Sequence, residues 1–143
     1  MKKIKGLVVL LTVSIILFSC SCGESGGNDL IESTTANASA SGYEQITQDE
    51  AKRLMDTEKD YVIIDARTVE EYEQGHIEGA LLIPEYEIGE RAEKELPDKN
   101  QLILVYCRSG RRSKIASQAL ADLDYTNVKE FGGIIDWKYE IVK

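Results

Sequence analysis

Three runs of consecutive apolar residues constrain this fold most: Tyr-Val-Ile-Ile at 61–64, Ala-Leu-Leu-Ile at 80–83 and Leu-Ile-Leu-Val-Tyr at 102–106. Their apolar character is continuous rather than alternating, as in strands of a parallel sheet buried on both faces. Helix patterns lie between them. Thr47 and Glu50 have the S/T-x-x-E spacing of a capping box, opening a helix through Met55 with Ala51, Leu54 and Met55 inward. Thr68 caps a short helix over 69–74 that ends at Gly75, and a further helix over 88–96 precedes Pro97. The segment 113–123 carries Ile115, Ala116, Ala119, Leu120 and Leu123 on one helical stripe. Short strands at 43–46 and 128–131 and a closing helix over 134–142 complete the set. The pattern predicts an α/β fold of three layers, α/β/α, around a central, mainly parallel five-stranded sheet.

In such sheets ligands sit beyond the carboxyl ends of the strands. Asp65 and Cys107 each directly follow an apolar run, so both are expected on that edge.

The first 42 residues have another character. Met1-Lys2-Lys3-Ile4-Lys5 is a basic start, and residues 7–18 are apolar apart from Thr12 and Ser14. That length suits an export signal and is short for a membrane span. Leu17-Phe18-Ser19-Cys20 resembles a bacterial lipobox, although Phe18 is bulkier than the motif usually carries. The expectation is a signal over 1–19, an acylated Cys20 and a tether over 20–42, with the domain at 43–143. An ordinary signal cut nearby and an uncleaved anchor are the alternatives. The tether is rich in Ser, Gly, Ala, Thr and Asn and reaches about 25 Å. Localisation would then be extracytoplasmic, on a bacterial membrane, through two or three acyl chains.

The formal charge is −8, more negative still without Lys2, Lys3 and Lys5. Such a surface repels nucleic acid and anionic headgroups, so no nucleic-acid partner is expected. With Cys20 acylated and Cys22 in the tether, Cys107 is the one thiol of the domain, and no disulfide can form within it. Three Cys and one His at these spacings make no zinc site, and no metal or cofactor is expected.

Against that acidic background stands the turn Cys107-Arg108-Ser109-Gly110-Arg111-Arg112, which holds three of the six arginines in the chain. Successive amides in a Gly turn before a helix form a concave anion site, and the same field favours thiolate over thiol. An inert, buried Cys belongs inside a strand rather than where strand, turn and helix meet. Cys107 is therefore the candidate nucleophile, with Arg108, Ser109, Gly110, Arg111 and Arg112 as its substrate-binding cradle. A Cys-based hydrolase needs a base, most often His. The single His76 stands in a turn before a buried strand and reads as a turn or capping residue. Sulfur transfer needs no proton to move: a thiolate attacks a sulfane sulfur and an anion leaves.

At these residues the chain resembles the rhodanese family of sulfurtransferases. Asp65-Ala66-Arg67 with Glu70-Glu71-Tyr72 is similar to D-x-R…E-[EF]-[YF]. Gly75-His76-Ile77-Glu78-Gly79-Ala80 is similar to G-H-I-x-G-A, and Tyr106-Cys107-Arg108-Ser109-Gly110-Arg111-Arg112-Ser113 to Y-C-x-S-G-x-R-S. Gly132-Gly133-Ile134-Ile135-Asp136-Trp137 is similar to the closing G-G-x-x-x-W. The resemblance implies a rhodanese-like fold and a persulfide on Cys107. Sulfur would come from thiosulfate or another sulfane donor and pass to cyanide or a thiol. It also implies a structural pair, Asp65 with Arg67. Trp137 reads as core, Gly132-Gly133 as a tight turn, and the chain is expected to be a monomer. Two rivals stay open. One is a phosphatase or arsenate reductase on the same fold, which requires C-x5-R where this chain has Cys107-x4-Arg112. The other is a binding module without turnover, a type that usually lacks the Cys. Thiol–disulfide exchange with Cys22 is a third and weaker reading.

Overall fold

The computed structural model describes residues 42–143. The expected signal, Cys20, Cys22 and the tether up to residue 41 lie outside the described residues. The chain runs through β1 (Glu44–Gln45), α1 (Gln48–Thr57), β2 (Tyr61–Asp65), α2 (Val69–Glu73) and β3 (Ala80–Leu82). A 3-10 turn (Glu85–Glu87), α3 (Ile88–Glu95), β4 (Leu102–Cys107), α4 (Arg111–Asp122), β5 (Val128–Gly133) and a second 3-10 turn (Ile134–Asp136) follow. The five strands form one sheet in the order β1-β5-β4-β2-β3, and every pairing is parallel. Among the described residues no helix is long and apolar enough to cross a membrane.

β4 lies at the centre, and all six of its residues are buried. Side chains alternate across a strand, so β4 feeds two cores. Ile103, Val105 and Cys107 face one side, where Ile88 and Ala92 of α3 and Ala116 and Leu120 of α4 cover them. Leu102, Leu104 and Tyr106 face the other, against Ala51 and Leu54 of α1 and Phe131 of β5. Each fully buried Leu or Ile contributes about 1.5–3 kcal/mol of transfer free energy. The same parity assigns the polar ends of the strands. Asp65 shares the α1 face with Ile63, because it stands in register with Tyr106. Glu130 shares the α4 face with Val128.

Four expectations change. The closing helix over 134–142 is absent: a single 3-10 turn ends at Asp136, and Trp137 is already extended. His76 and Val142 instead pair as an antiparallel bridge, with both N–H···O bonds at 2.8 Å. Ile, Trp, Tyr and Val are indifferent helix formers, so this pairing and the packing of Trp137 on Phe131 prevail. α4 begins at Arg111 rather than at 113, because Gly110, at φ 93°, already turns the chain into the helix. Ile115 is 47% exposed, and the inward stripe of α4 includes Ser113 and Ser117 beside Ala116 and Leu120. Gly132 has the turn conformation expected, at φ 92°, but Gly133 is an extended β5 residue paired with Cys107.

Candidate active site

Cys107 ends β4 on the α4 face with 1% of its surface exposed. The register between β4 and β5 shifts just before it, between Val105 and Cys107, which brings Gly133 alongside. A Cβ at Gly133 would stand 2.2 Å from the Arg108 carbonyl oxygen and 2.5 Å from Ser109 Cα. The absent side chain is what lets the loop after Cys107 fold back over β5. The loop is pinned there by the Ile135 amide, which donates to the Arg108 carbonyl at 3.2 Å. The Gly110 amide donates to Cys107 Sγ at 3.1 Å. Behind it α4 runs for twelve residues with no acidic side chain in its first turn. Arg111 and Arg112 occupy that turn instead, adding their charge to the positive end of the helix dipole. Two cations at a helix N-terminus are unfavourable unless an anion joins them. The arrangement points an amide donor and the positive end of a helix at Sγ.

The three arginines are not equivalent. Arg108 and Arg111 are exposed, as is Ser109, while Gly110 is buried. Arg112 is held by Glu71 of α2 through a bidentate pair, Nη1 to Oε2 at 2.6 Å and Nη2 to Oε1 at 2.8 Å. Glu71 Oε2 also accepts the Thr68 amide at 3.2 Å, completing the capping box of α2. The hydrogen bond from Arg112 holds the Glu71 carboxyl down at about 2, against its partial burial. One carboxylate thus ties α2 to the start of α4 across the loop.

On the opposite face Asp65 and Arg67 form a buried bidentate pair. Arg67 Nε lies 2.9 and 3.0 Å from the two carboxylate oxygens, and Nη2 lies 2.6 Å from Oδ2. The remaining capacity is taken up too: Arg67 N donates to Oδ1 at 3.0 Å, Tyr106 Oη donates to Oδ2 at 2.6 Å, and Arg67 Nη2 donates to the Gly75 carbonyl at 2.8 Å. Burial and the Asp65 charge raise the Tyr106 hydroxyl far above its ordinary value, so it stays a donor. His76 lies apart from Cys107, stacked on Tyr72 at 3.7 Å with Nδ1 3.1 Å from the Tyr72 carbonyl.

Residues without a role assigned from sequence complete the site. Ser113 Oγ lies 3.5 Å from Cys107 Sγ and donates to Glu130 Oε1 at 2.6 Å. Glu130, 3% exposed, also accepts the Gly132 amide at 2.8 Å. Ser113 and Glu71 stand inside motifs that the sequence displays. Glu130 has no motif, and its one signal is an acid at the inward parity of β5, which needs the strand register to be seen. Beside the loop opens a cavity of about 360 Å³ lined by Arg67, Glu71, Arg108, Ile134, Ile135 and Ile141. No cluster of three or more metal-ligating side chains occurs among the described residues. The arrangement sets a buried thiol against the Gly110 amide at the start of α4, with the His76 ring stacked on Tyr72 instead.

Comparison with known proteins agrees with this geometry. The rhodanese-like domain model matches residues 47–140. The thiosulfate sulfurtransferase PspE of Escherichia coli is 44% identical over 73 residues, covering 51% of this chain and 70% of its own length. The thiosulfate sulfurtransferase GlpE of Coxiella burnetii is 36% identical over 97 residues, covering 67% of this chain and 88% of its own. Among solved structures, a rhodanese with anions from E. coli superposes with a TM-score of 0.55 at 41% identity, covering 58% of this chain and 98% of that one.

Proposed function

This chain belongs to the rhodanese-like domain family, and from that premise we propose that it is a sulfurtransferase carrying sulfur on Cys107. The observation that carries the reading is the Gly110 amide on Cys107 Sγ at the N-terminus of α4, with Arg111 and Arg112 beside it. In the first half-reaction the Cys107 thiolate attacks the outer sulfur of thiosulfate. A new S–S bond forms, the bond to the sulfonate sulfur breaks, and sulfite leaves with its electron pair. The product on Cys107 is a persulfide anion, which occupies the same positive field as the thiolate did. In the second half-reaction cyanide or a thiol attacks the outer sulfur and Cys107 leaves as thiolate. With cyanide the product is thiocyanate.

The loop residues have separate parts in this scheme. The Gly110 amide steadies Sγ, and Arg108 and Arg111, open to solvent, draw in the anionic donor. Ser109 offers a hydroxyl at the mouth. Arg112, neutralised in part by Glu71, shapes the loop more than it binds. Asp65 and Arg67 brace the ends of β2 and β4. The reading extends to place: an acylated Cys20 would hold the domain, as a monomer, outside the cytoplasm. No resident cofactor enters the scheme.

Thiocyanate formation from thiosulfate and cyanide tests it. The full chain is expected to turn over, and Cys107→Ser to lose turnover altogether. Vanadate-sensitive hydrolysis of an aryl phosphate without thiocyanate would overturn the reading in favour of phosphoryl chemistry.

A further inference from the structure

The mechanism leaves one buried carboxylate unused. Glu130 is 3% exposed, and no salt bridge among the described residues includes it. Its hydrogen bonds come from neutral donors, the Ser113 hydroxyl and the Gly132 amide, both to Oε1. A buried carboxylate without a cation is costly, so its position next to the nucleophile calls for a reason.

Ser113 supplies it. A serine hydroxyl has one proton. Three acceptors surround Ser113 Oγ, namely Glu130 Oε1 at 2.6 Å, the Gly110 carbonyl at 3.1 Å and the Gly132 carbonyl at 3.4 Å, and Cys107 Sγ stands 3.5 Å away on the donor side. The 2.6 Å contact has the length of a charge-assisted O–H···O⁻ bond and takes the proton. Ser113 then shows Sγ a lone pair, and the Cys107 thiol donates into it. The hydrogens of Sγ and Oγ point one way, toward Glu130.

We propose that Glu130, acting through Ser113, is a positioning residue that shares one proton with Cys107, so that the thiolate forms as Glu130 becomes neutral. The step balances: the S–H proton passes to Ser113 Oγ, the Ser113 proton passes to Glu130 Oε1, and no electron leaves the site. Negative charge moves from a position without a cation to one with several positive groups. Around Sγ these are the Gly110 amide, the α4 terminus and Arg112. The other charges are accounted for. Glu71 of α2 is bound to Arg112, and Glu85 acts on Arg112 from the 3-10 turn before α3. Arg108 lies in solvent. Lys129 of β5 is paired with Glu44 of β1, and Asp65 and Arg67 hold each other on the far face of the sheet. The proposal deepens the reading of Cys107 as nucleophile and does not depend on which sulfur donor it meets.

The test is the pH dependence of Cys107 alkylation by iodoacetamide in the full chain, read on the Cys107 peptide by mass spectrometry so that Cys20 and Cys22 do not contribute. Two groups sharing a proton titrate as a pair in two steps, resolved when the coupling exceeds about one pH unit. Wild-type reactivity should rise in two limbs separated by at least about that interval. Glu130→Gln should merge them into one. Ser113→Ala should draw the limbs together, and Ser113→Thr, which keeps the hydroxyl, should leave them apart. The Ser113 pair decides the matter if Glu130→Gln does not fold. A single limb in the wild type, or two limbs unmoved by Glu130→Gln or Ser113→Ala, overturns the proposal. Alkylation reads Cys107 directly, so two limbs in a chain that takes no sulfur from thiosulfate would sink the sulfurtransferase reading and leave this one standing.

Discussion

The last two residues of β4 enter two different buried networks. Tyr106 enters one on the α1 face, where Asp65 is met by the Arg67 fork, the Arg67 amide and the Tyr106 hydroxyl. Cys107 enters the other on the α4 face, where Glu130 is met by a serine hydroxyl and an amide. Both carboxylates are nearly or wholly without solvent contact, at 0% and 3% exposure. The first has its own cation and a full set of donors, and can only be held in place. The second has no cation and depends on one mobile proton. A fold thus sets a rigid polar brace and a responsive one side by side by giving a counter-ion to one and withholding it from the other.

That contrast can be broken by mutation. The largest loss of stability is expected for Arg67→Ala, which strands the Asp65 charge in the core and should cost about 3–5 kcal/mol in denaturant titration. Tyr106→Phe comes next, because it removes a donor from Asp65 and an acceptor from the Ile77 amide, for about 1–3 kcal/mol. Glu71→Gln is smaller at neutral pH, about 1–2 kcal/mol, since the Arg112 pair is partly open to water. It carries a pH signature. The Glu71 carboxyl sits lower in the folded state than in the unfolded chain, so its stabilisation is present above its unfolded value, about 4.3. It fades as pH falls from there through about 2. Glu71→Gln should flatten the acid side of the stability profile over that range. The smallest cost is expected for Glu130→Gln, about 1 kcal/mol or less, because the amide keeps the shape and removes an unpaired charge. If Glu130→Gln proved as damaging as Arg67→Ala, the two networks would be of one kind and the contrast would fail.

The rigid network was legible in the sequence and the responsive one largely was not. Asp65-Ala66-Arg67 is contiguous, follows an apolar run and belongs to a recognisable motif, so its location at the strand ends could be read from local pattern. Cys107 and its loop were legible for the same reason. Glu130 and Ser113 are 17 residues apart and meet because β5 pairs with β4 in one register and α4 packs on the face where both point. The close approach of Gly133 to the Arg108 carbonyl has the same origin. The closing helix failed for a related reason. Residues 137–142 have no strong local preference, and their structure is decided by His76, more than sixty positions earlier in the chain.

The most direct test of Cys107 as a sulfur carrier is the mass of its peptide after the full chain meets thiosulfate. The account predicts a gain of one sulfur at Cys107, reversed by cyanide and absent in Cys107→Ser. An unchanged Cys107 peptide, or sulfur added elsewhere in both proteins alike, would contradict it.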